Sequence, residues 1–506
     1  MAAVPFEAIA VSLGVIIAYF IVCIGVGNYA WKVFPMTSYE RYTVAGRSLG
    51  WAVLLLSSMA TQYSALTFIG FIGTEYAVGF PAFLGILWMY MGVSAAFYSS
   101  YGRIWKVAKR FGHVTNTDLI VQFYNSKSLG LVYGAIMVIA LWTYSLVQIL
   151  GVGYMVWMST YGAIAPWMGA LLVFVTVVGY EIMGGAKSQA WVNSIQGVML
   201  LAGILLGCFY FTWVYYGGIT AMFQKIAATP AVAKGVTFPG FTPVWGLLFT
   251  LTWILPVGMG WPSHTHMYQK MVSAKRPTLA RYYPLFIQIT FPPAICSGYV
   301  IAMLARTLTL PTGVGADQSF IWMATQFLPP VLVGFIGAAG LAAMQSSLDS
   351  QTLAESSIIA NDFIRRFKTT ISDRTLVNIT RVIMILLTLS AWVVAITMPM
   401  MLLAWGGFCA AFGAQLLIPF LVAAWGLRFF TKYGAGASMI CGFATNVITS
   451  GLIDQFKAMG LTNYLGIYSG TWGLIVGIPL LFIVSALTQK YRPSEEVVKA
   501  IKEVGW

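Results

Sequence analysis

Four polar side chains in the middle of a long apolar stretch carry the clearest chemistry in this sequence. They are Ser346, Ser347, Asp349 and Ser350, at positions that would face lipid in a simple membrane-spanning helix. Residues three, four and seven positions apart share one face of an α-helix, so Ala343 and the three serines would lie on one face with the aspartate beside it. This face offers three hydroxyl oxygens and one carboxylate.

An oxygen-lined face at that depth predicts a binding site for a cation or a proton. Hard cations prefer oxygen ligands to nitrogen or sulfur. The serines alone do not decide the question, because serines in membrane helices also allow close helix packing and bond back to their own backbone. Asp349 favours binding, because an ionisable group is costly inside a bilayer unless it faces protein, water or a cation.

The composition is that of a polytopic membrane protein. Of the 506 residues, 59% are hydrophobic and 8% are charged, whereas soluble domains contain roughly 25% charged residues. Apolar segments of about 20 residues are long enough to cross a bilayer as helices, and we count thirteen of them. These predicted spans lie at 7–31, 50–76, 81–104, 130–158, 166–184, 189–216, 243–270, 280–306, 331–363, 376–397, 400–427, 433–454 and 465–487.

The distribution of Lys and Arg predicts the orientation in the membrane. With the N-terminus outside, four of the 28 basic residues fall in outer loops, namely Lys225, Lys234, Arg306 and Lys457, and most of the others lie in inner loops. This positive-inside pattern predicts a cell or inner membrane protein with its C-terminus in the cytoplasm. The net charge of +14 then reflects topology and contact with anionic lipid, not nucleic-acid binding. No basic region precedes the first span, so we expect that span to be retained.

The seventh span contains a cluster of helix breakers. Pro256, Gly258, Gly260 and Pro262 lie within one short stretch, which disfavours an unbroken helix there. Broken helices inside a membrane are tolerated where they are buried or line a cavity, and in transporters they build the substrate site. The cluster therefore predicts a break in this span beside a binding site.

Four stretches, taken in order, resemble the sodium/solute symporter family, whose members take up sugars, proline, pantothenate, monocarboxylates and sialic acid. They read AGRSLGW (45–51), ATQYSALTFIG (60–70), MGGAKSQAWVNSIQG (183–197) and GLAAMQSSLDSQTL (340–353). Together with the thirteen spans, the resemblance covers the whole chain. It implies an all-α polytopic fold of the LeuT type, in which two inverted five-helix repeats each begin with a broken helix.

On this interpretation residues 1–506 form one transmembrane transporter domain. An extra helix at 7–31 precedes the first repeat at 50–216, the second repeat occupies 243–427, and two further helices lie within 433–487. The helix breakers in span 7 agree with a break at the start of the second repeat. The break in span 2 is implied by the resemblance alone, because no Gly or Pro in the middle of that span indicates it.

The resemblance also implies a sodium site between the first helix of repeat 1 and the third helix of repeat 2. Its ligands would be the backbone carbonyls of Ala60, Tyr63 and Ala343 together with the hydroxyls of Ser346 and Ser347. Five neutral oxygens suit a monovalent ion, whereas a more highly charged cage would favour a divalent one.

A second site differs from the family pattern. Some members hold a second sodium with an aspartate in span 6 and a serine or threonine in span 9, but here Asn193 replaces the aspartate and Asp349 stands in span 9. We expect either a rearranged cation site formed by Asn193, Ser346, Asp349 and Ser350, or a proton carried by Asp349. The position of the charge does not separate Na⁺ from H⁺.

The substrate is expected to be a small organic solute. The sugar branch carries a Glu-Gln pair where this chain has Leu66 and Thr67, and an extra C-terminal helix common in that branch does not follow span 13. These differences favour a monocarboxylate, an amino acid such as proline, or a pantothenate-like acid. The half-helix N-terminus in span 7 would suit an anionic group. Candidate lining residues, each of which could equally serve packing, are Gln62, Thr67, Trp142, Gln148, Trp261, His264 and Trp405.

The resulting prediction is secondary active symport by alternating access, with Na⁺ as the coupling ion and H⁺ as the alternative. Two other classes remain open from the residues alone. For an intramembrane Ser/His/Asp hydrolase, the sequence offers no HExxH motif. A solute sensor or channel on the same scaffold would need features that the sequence does not show. We expect no enzymatic activity and no nucleic-acid partner. The oligomeric state is not determined, and a monomer is compatible with the sequence.

Overall fold

The structure is a computed structural model that describes residues 5–34, 37–242, 245–398 and 402–504. Within these ranges every regular element is helical. Nine of the described helices are long and apolar enough to cross a membrane, and a pair of helices bent by 56° forms a tenth candidate. Helical spans satisfy their backbone hydrogen bonds internally, as a bilayer requires.

The first half of the chain forms the helices that surround the first break. A π-helical turn at Leu66–Gly70 joins the third helix to the fourth, and the eighth helix changes direction at Gly185, where φ is 52°. In chain order these helices are α1 (Phe6–Val33), α2 (Tyr39–Val44), α3 (Trp51–Gln62), α4 (Phe71–Val78), α5 (Phe80–Phe111), α6 (Asn116–Tyr124), α7 (Lys127–Ser159), α8 (Pro166–Phe209), α9 (Ile219–Ala227) and α10 (Pro230–Ala233).

The second half begins with another broken segment and ends in a short amphipathic helix. A π-helical turn at Ile358–Arg365 extends the fifteenth helix. In chain order the helices are α11 (Leu247–Gly260), α12 (Thr265–Val272), α13 (Pro277–Arg306), α14 (Ser319–Phe327), α15 (Pro330–Ser357), α16 (Asp373–Thr397), α17 (Leu402–Trp425), α18 (Lys432–Thr449), α19 (Asp454–Ala458), α20 (Ser469–Leu487) and α21 (Glu495–Lys502).

The predicted spans agree with these helices in most places. Span 5 and span 6 lie on either side of the bend in α8, span 7 is divided between α11 and α12, and α18 is less apolar than the nine long helices. The predicted starts of two spans, at residues 243 and 400, lie outside the described residues. The number thirteen therefore stays a prediction.

Helix α15 is the centre of the bundle. Every residue from 336 to 358 is buried, and the helix packs against α1, α3, α7, α8 and α16. A span that carries polar side chains must be shielded from lipid in this way, because an unpaired polar group in hydrocarbon is costly.

The break in span 2 is confirmed, and side chains of α7 hold it. Helix α3 ends at Gln62, and Tyr63 is extended with φ −82° and ψ 102°. The Oε1 atom of Gln148 accepts the backbone N–H of Ala65 at 2.9 Å. The hydroxyl oxygen of Ser64 accepts a hydrogen bond from the hydroxyl of Tyr144 at 2.6 Å. Partners outside the helix satisfy the interrupted backbone, so no Gly or Pro is needed to break it.

The predicted break in span 7 is present, and it lies at the end of the cluster of helix breakers, around Pro262. Helix α11 continues through Pro256 and Gly258, and the chain breaks at Trp261–Ser263 and the extended residue His264. A side chain on Gly258 would place its Cβ 2.7 Å from the carbonyl oxygen of Met89 in α5. This glycine therefore permits close packing of two helices and does not interrupt one.

Arg47 joins several segments on the side of the bundle predicted to face the cytoplasm. Its guanidinium donates to the carbonyl oxygens of Ala108 at 3.2 Å, His113 at 2.7 Å and Val272 at 3.4 Å. Ala108 lies in the last turn of α5, His113 follows α5, and Val272 is the last residue of α12. Arg47 thus ties the segment before α3 to two other elements, beyond the role of a positive-inside anchor.

Asp317, in the segment between α13 and α14, contacts the start of α17. Its Oδ2 atom accepts the backbone N–H of Leu402 at 3.0 Å, at the start of α17. Its Oδ1 atom is buried and has no hydrogen-bond partner among the described residues. A Cβ on Gly73 of α4 would collide with Asp317, so this segment packs directly on the second half of the broken helix.

Replacing Asp317 with asparagine is expected to stabilise the protein at neutral pH. Burial raises the pKa of Asp317 to about 6, so the folded protein binds this proton more tightly than the unfolded chain does. The resulting stability is complete below about pH 4 and is lost as the pH rises through 6. Asp317→Asn keeps an acceptor for Leu402 and removes the buried charge. The measurement is thermal unfolding of both proteins at pH 7.5 and pH 5. At pH 7.5 the variant should unfold at a higher midpoint temperature than wild type, and its midpoint should change less between the two pH values. An unchanged pH dependence would contradict this assignment.

Candidate cation and solute site

The hydroxyl of Ser346 joins α15 to the end of α3. Its Oγ atom lies 2.8 Å from the carbonyl oxygen of Ala60 and 3.1 Å from that of Ala343. The carbonyl of Ala60 is available because α3 ends at Gln62, and the last four carbonyls of a helix have no partner within it. The break in span 2 therefore provides an oxygen where α15 presents a hydroxyl.

Ser347 completes the set of predicted sodium ligands. Its Oγ atom lies 2.9 Å from the carbonyl oxygen of Thr61, 3.3 Å from that of Ala343 and 3.5 Å from that of Tyr63. All five oxygens named from the resemblance thus lie together between the two helices, with the carbonyl of Thr61 as a sixth. Such a cluster of neutral oxygens is suited to a monovalent cation.

The second predicted group of residues is also contiguous. Asp349 is fully buried, and its Oδ2 atom accepts the hydroxyl of Tyr180 at 2.8 Å. Its Oδ1 atom accepts the amide of Asn193 at 3.3 Å and the hydroxyl of Ser350 at 3.1 Å. The hydroxyl of Ser350 lies 2.8 Å from that of Thr61. The two groups of residues are therefore adjacent and share α15.

Three further ionisable side chains lie close to this group, and none was among the predicted site residues. All three are at most 4% exposed. Each falls within a predicted membrane span, so the rule that singled out Asp349, that an ionisable group in a span suggests a functional site, would have found them. They are Glu181 in α8, Lys270 in α12 and Glu355 in α15.

The atoms that could bind a cation at this site are oxygens. In the described ranges no group of three or more His, Cys, Asp or Glu residues is placed to hold a metal ion. His264 and His266 are both buried, with ring centroids 5.8 Å apart and planes inclined by 77°. Oxygen atoms are the ligands that hard cations prefer.

A small cavity lies between the two helix breaks. Its volume is about 10 Å³, room for about one water molecule, so a solute would have to separate the side chains around it. The lining is mostly aromatic and apolar, and its polar groups are side-chain hydroxyls and the N–H groups of two indoles. The lining residues are Ser64, Leu66, Phe71, Met89, Tyr90, Tyr144, Trp253, Val257, Trp261, Leu403, Gly406, Gly407 and Ala410.

Trp261 lines this cavity, alone among the seven predicted solute residues. Its indole nitrogen is buried and has no hydrogen-bond partner within the described chain, so it is free to bind a solute. Thr67 does not line the cavity, but its hydroxyl lies 3.4 Å from that of Tyr90, which does. Gln148 supports the first helix break instead.

The other predicted solute residues lie away from the cavity wall. Trp142 donates its indole N–H to Ser390 at 3.0 Å on an exposed face of α7 and α16. The ring of His264 lies 3.1 Å from the carbonyl oxygen of Gly260, within the second break. The predicted solute residues absent from the lining are Gln62, Thr67, Trp142, Gln148, His264 and Trp405.

The aromatic wall of the cavity was missed by the sequence analysis. Tyr90, Tyr144 and Trp253 come from α5, α7 and α11, three separate helices. A buried aromatic in an apolar span looks the same in sequence whether it fills the core or lines a cavity. Only the two helix breaks pointed to the region where these side chains meet.

Comparison with known proteins agrees with this architecture. The family model described as "Sodium:solute symporter family" matches residues 42–442. The osmoregulated proline transporter OpuE of Bacillus subtilis (strain 168) is 26% identical over 499 residues, which cover 95% of each chain. The uncharacterized symporter YhjB of the same organism is 28% identical over 310 residues, covering 60% of this chain and 61% of that protein.

The fold is shared with solved transporter structures. A Na⁺-coupled sialic acid symporter in a substrate-bound outward-open state superposes with a TM-score of 0.76 at 16% identity, covering 94% of this chain and 97% of that one. At this identity the likeness concerns the fold alone. Together with other transporter structures it confirms the LeuT-type fold that the resemblance implied.

Proposed function

The chain belongs to the sodium:solute symporter family, and we infer that it is a sodium-coupled symporter of a small organic solute in the cell membrane. Membership makes it a multi-pass membrane transporter of a small organic solute and not an enzyme, because its relatives and structural neighbours are transporters. The coupling ion, the solute and the orientation, with the N-terminus outside and the C-terminus in the cytoplasm, are proposals.

The observation that carries the sodium coupling is the set of oxygens between α3 and α15. Ser346 and Ser347 lie within 3.5 Å of carbonyl oxygens at the end of α3, and these helices belong to the two proposed inverted repeats. A sodium ion there would replace the contacts of two hydroxyls with several ion–oxygen bonds across the repeats. Binding would therefore favour a conformation in which α3 and α15 are held together.

The lining of the cavity supports the proposed solute class. Its lining has aromatic rings and hydroxyls and no charged side chain among the described residues, so an ion of high charge would lie unbalanced there. A small zwitterion such as proline, or a monocarboxylate paired with the adjacent sodium ion, suits this lining. The proline transporter OpuE among the relatives supports the amino acid as the first choice.

The proposed mechanism is alternating access. Sodium enters from outside, binds between α3 and α15, and stabilises the arrangement of the two helix breaks that holds the solute. Because each ligand favours the same conformation, each raises the affinity of the other by the same factor. Opening of the contacts made by Arg47 on the inner side would then release both, as one bundle moves against the other.

Uptake into proteoliposomes tests this proposal. The purified protein would be given labelled proline, lactate, pyruvate, acetate, pantothenate and glucose, each with an inward sodium gradient, with a proton gradient and with neither. We expect accumulation of one of the organic acids or of proline under the sodium gradient. Accumulation driven by protons alone would keep the fold and assign the coupling to Asp349 instead. No gradient-driven accumulation of any solute would contradict symport.

A further inference from the structure

A buried lysine lies next to the candidate cation site. Lys270, in α12, is 4% exposed, and its ammonium donates to Oε1 of Gln189 at 3.0 Å. The amide nitrogen of Gln189 in turn donates to Glu181 at 3.4 Å. The carboxylates whose charges act on Lys270 are Asp349 and Glu181. A buried ammonium needs such partners, because an unpaired charge away from water is expensive.

The charges in this cluster do not balance. One ammonium, that of Lys270, lies within electrostatic reach of two acidic side chains, Asp349 and Glu181, and Glu355 lies near Glu181. With Asp349 and Glu181 both ionised, the cluster has room for one more positive charge. An unpartnered oxygen lies beside the aspartate: Oδ1 of Asn193 is fully buried and has no hydrogen-bond partner in the described chain. A monovalent cation at Asp349 would both balance the charge and give this oxygen a partner.

A small polar cavity of about 10 Å³ lies beside this cluster. Among its lining residues are Ser350, which belongs to the cation site, Lys270, His266, and Leu49 of the segment that precedes α3. Both ring nitrogens of His266 are buried without a partner among the described residues. A cation that leaves Ser350 toward the inner side would therefore pass the ammonium of Lys270.

We propose that Lys270 is a tethered cation that takes the place of the transported cation at Asp349 when the site empties toward the cytoplasm. This inference rests on the proposed sodium symport and identifies the group that drives the release step. As the cation departs past Ser350, the ammonium moves from Gln189 to Asp349, and the carboxylate is never left unpaired. The empty carrier can then return outward, which net uptake requires and solute exchange does not.

Replacing Lys270 with methionine separates these two activities. Net uptake needs the empty carrier to return, whereas exchange of labelled for unlabelled solute, with sodium and solute saturating on both sides, does not. We expect Lys270→Met to lower net uptake at least about tenfold, the size of effect expected when a buried charge loses its partner, and to keep exchange within about twofold of wild type. Lys275→Met changes an exposed lysine five residues later and should alter neither activity.

A double variant distinguishes a tethered cation from a structural counter-ion. Lys270→Met combined with Glu181→Gln restores the net charge of the cluster but supplies no cation to Asp349, so net uptake should stay low while exchange is retained or regained. Recovery of net uptake in the double variant would overturn the proposal, as would normal net uptake in Lys270→Met alone. Equal loss of both activities in the single and double variants would also overturn it. Failure of the wild type to accumulate solute under a sodium gradient would count against the proposed function instead.

Discussion

Replacing Ser346 with alanine is expected to raise the sodium concentration that gives half-maximal uptake by about ten- to a hundredfold. The substitution removes one of five proposed ligand oxygens, the hydroxyl that lies 2.8 Å from the carbonyl oxygen of Ala60. It also leaves that buried carbonyl without its partner in the absence of the ion. The measurement is the initial rate of solute uptake into proteoliposomes over a series of sodium concentrations.

Ser356 provides the matched control on the same helix. Its hydroxyl bonds to the carbonyl oxygens of Thr352 and Leu353 within α15 and does not reach α3. Ser356→Ala should therefore leave the sodium dependence unchanged while it removes the same atom from the same helix. If both alanine variants keep the wild-type sodium dependence, the ion does not bind at Ser346.

Replacing Asp349 with asparagine is expected to reduce uptake strongly and to make the dependence on sodium concentration less steep. The side chain keeps its size and an acceptor for Tyr180, Asn193 or Ser350, but its negative charge is lost. A cation bound there would lose its carboxylate partner, which at a buried site costs several kcal/mol. Two cooperative sodium sites should then behave as one, with a Hill coefficient that falls from about two toward one.

The same variant decides between the two ions. Loss of the pH dependence of uptake, with the steepness of the sodium dependence unchanged, would assign a proton to Asp349 and not a second cation. Unchanged sodium and pH dependence together would remove both assignments. Asp454→Asn, which alters an exposed aspartate in α19, controls for the loss of a carboxylate elsewhere in the chain.

The two helix breaks differ in origin, and this difference determines how sensitive each is to substitution. In the second break, Trp261–Ser263 and His264 interrupt the helix after a glycine-rich stretch. In the first, Gln148 of α7 binds the exposed N–H of Ala65. The first break therefore depends on tertiary contact, and the proposed sodium ligands at the end of α3 depend on α7 as well as on α15.

The sequence alone was sufficient for the features that depend on local pattern. Long apolar segments predicted a polytopic helical membrane protein because length and hydropathy decide whether a helix can span a bilayer. The spacing of Ala343, Ser346, Ser347 and Ser350 placed them on one helix face, which lies against α3 in the structure. Family resemblance then named Ala60 and Tyr63 as their partners across the bundle, and the structure brings these oxygens together.

The tertiary structure decided what depends on contacts between distant segments. The stabilisation of the first break by Gln148, the wall of the solute cavity and the hydrogen bond of Lys270 to Gln189 each involve residues from different helices. Local periodicity tells which face of a helix is polar, but not which other helix meets that face or how closely. Gly258 illustrates this. In the sequence it looks like a helix breaker, whereas in the folded bundle it lies within α11 and packs closely against Met89.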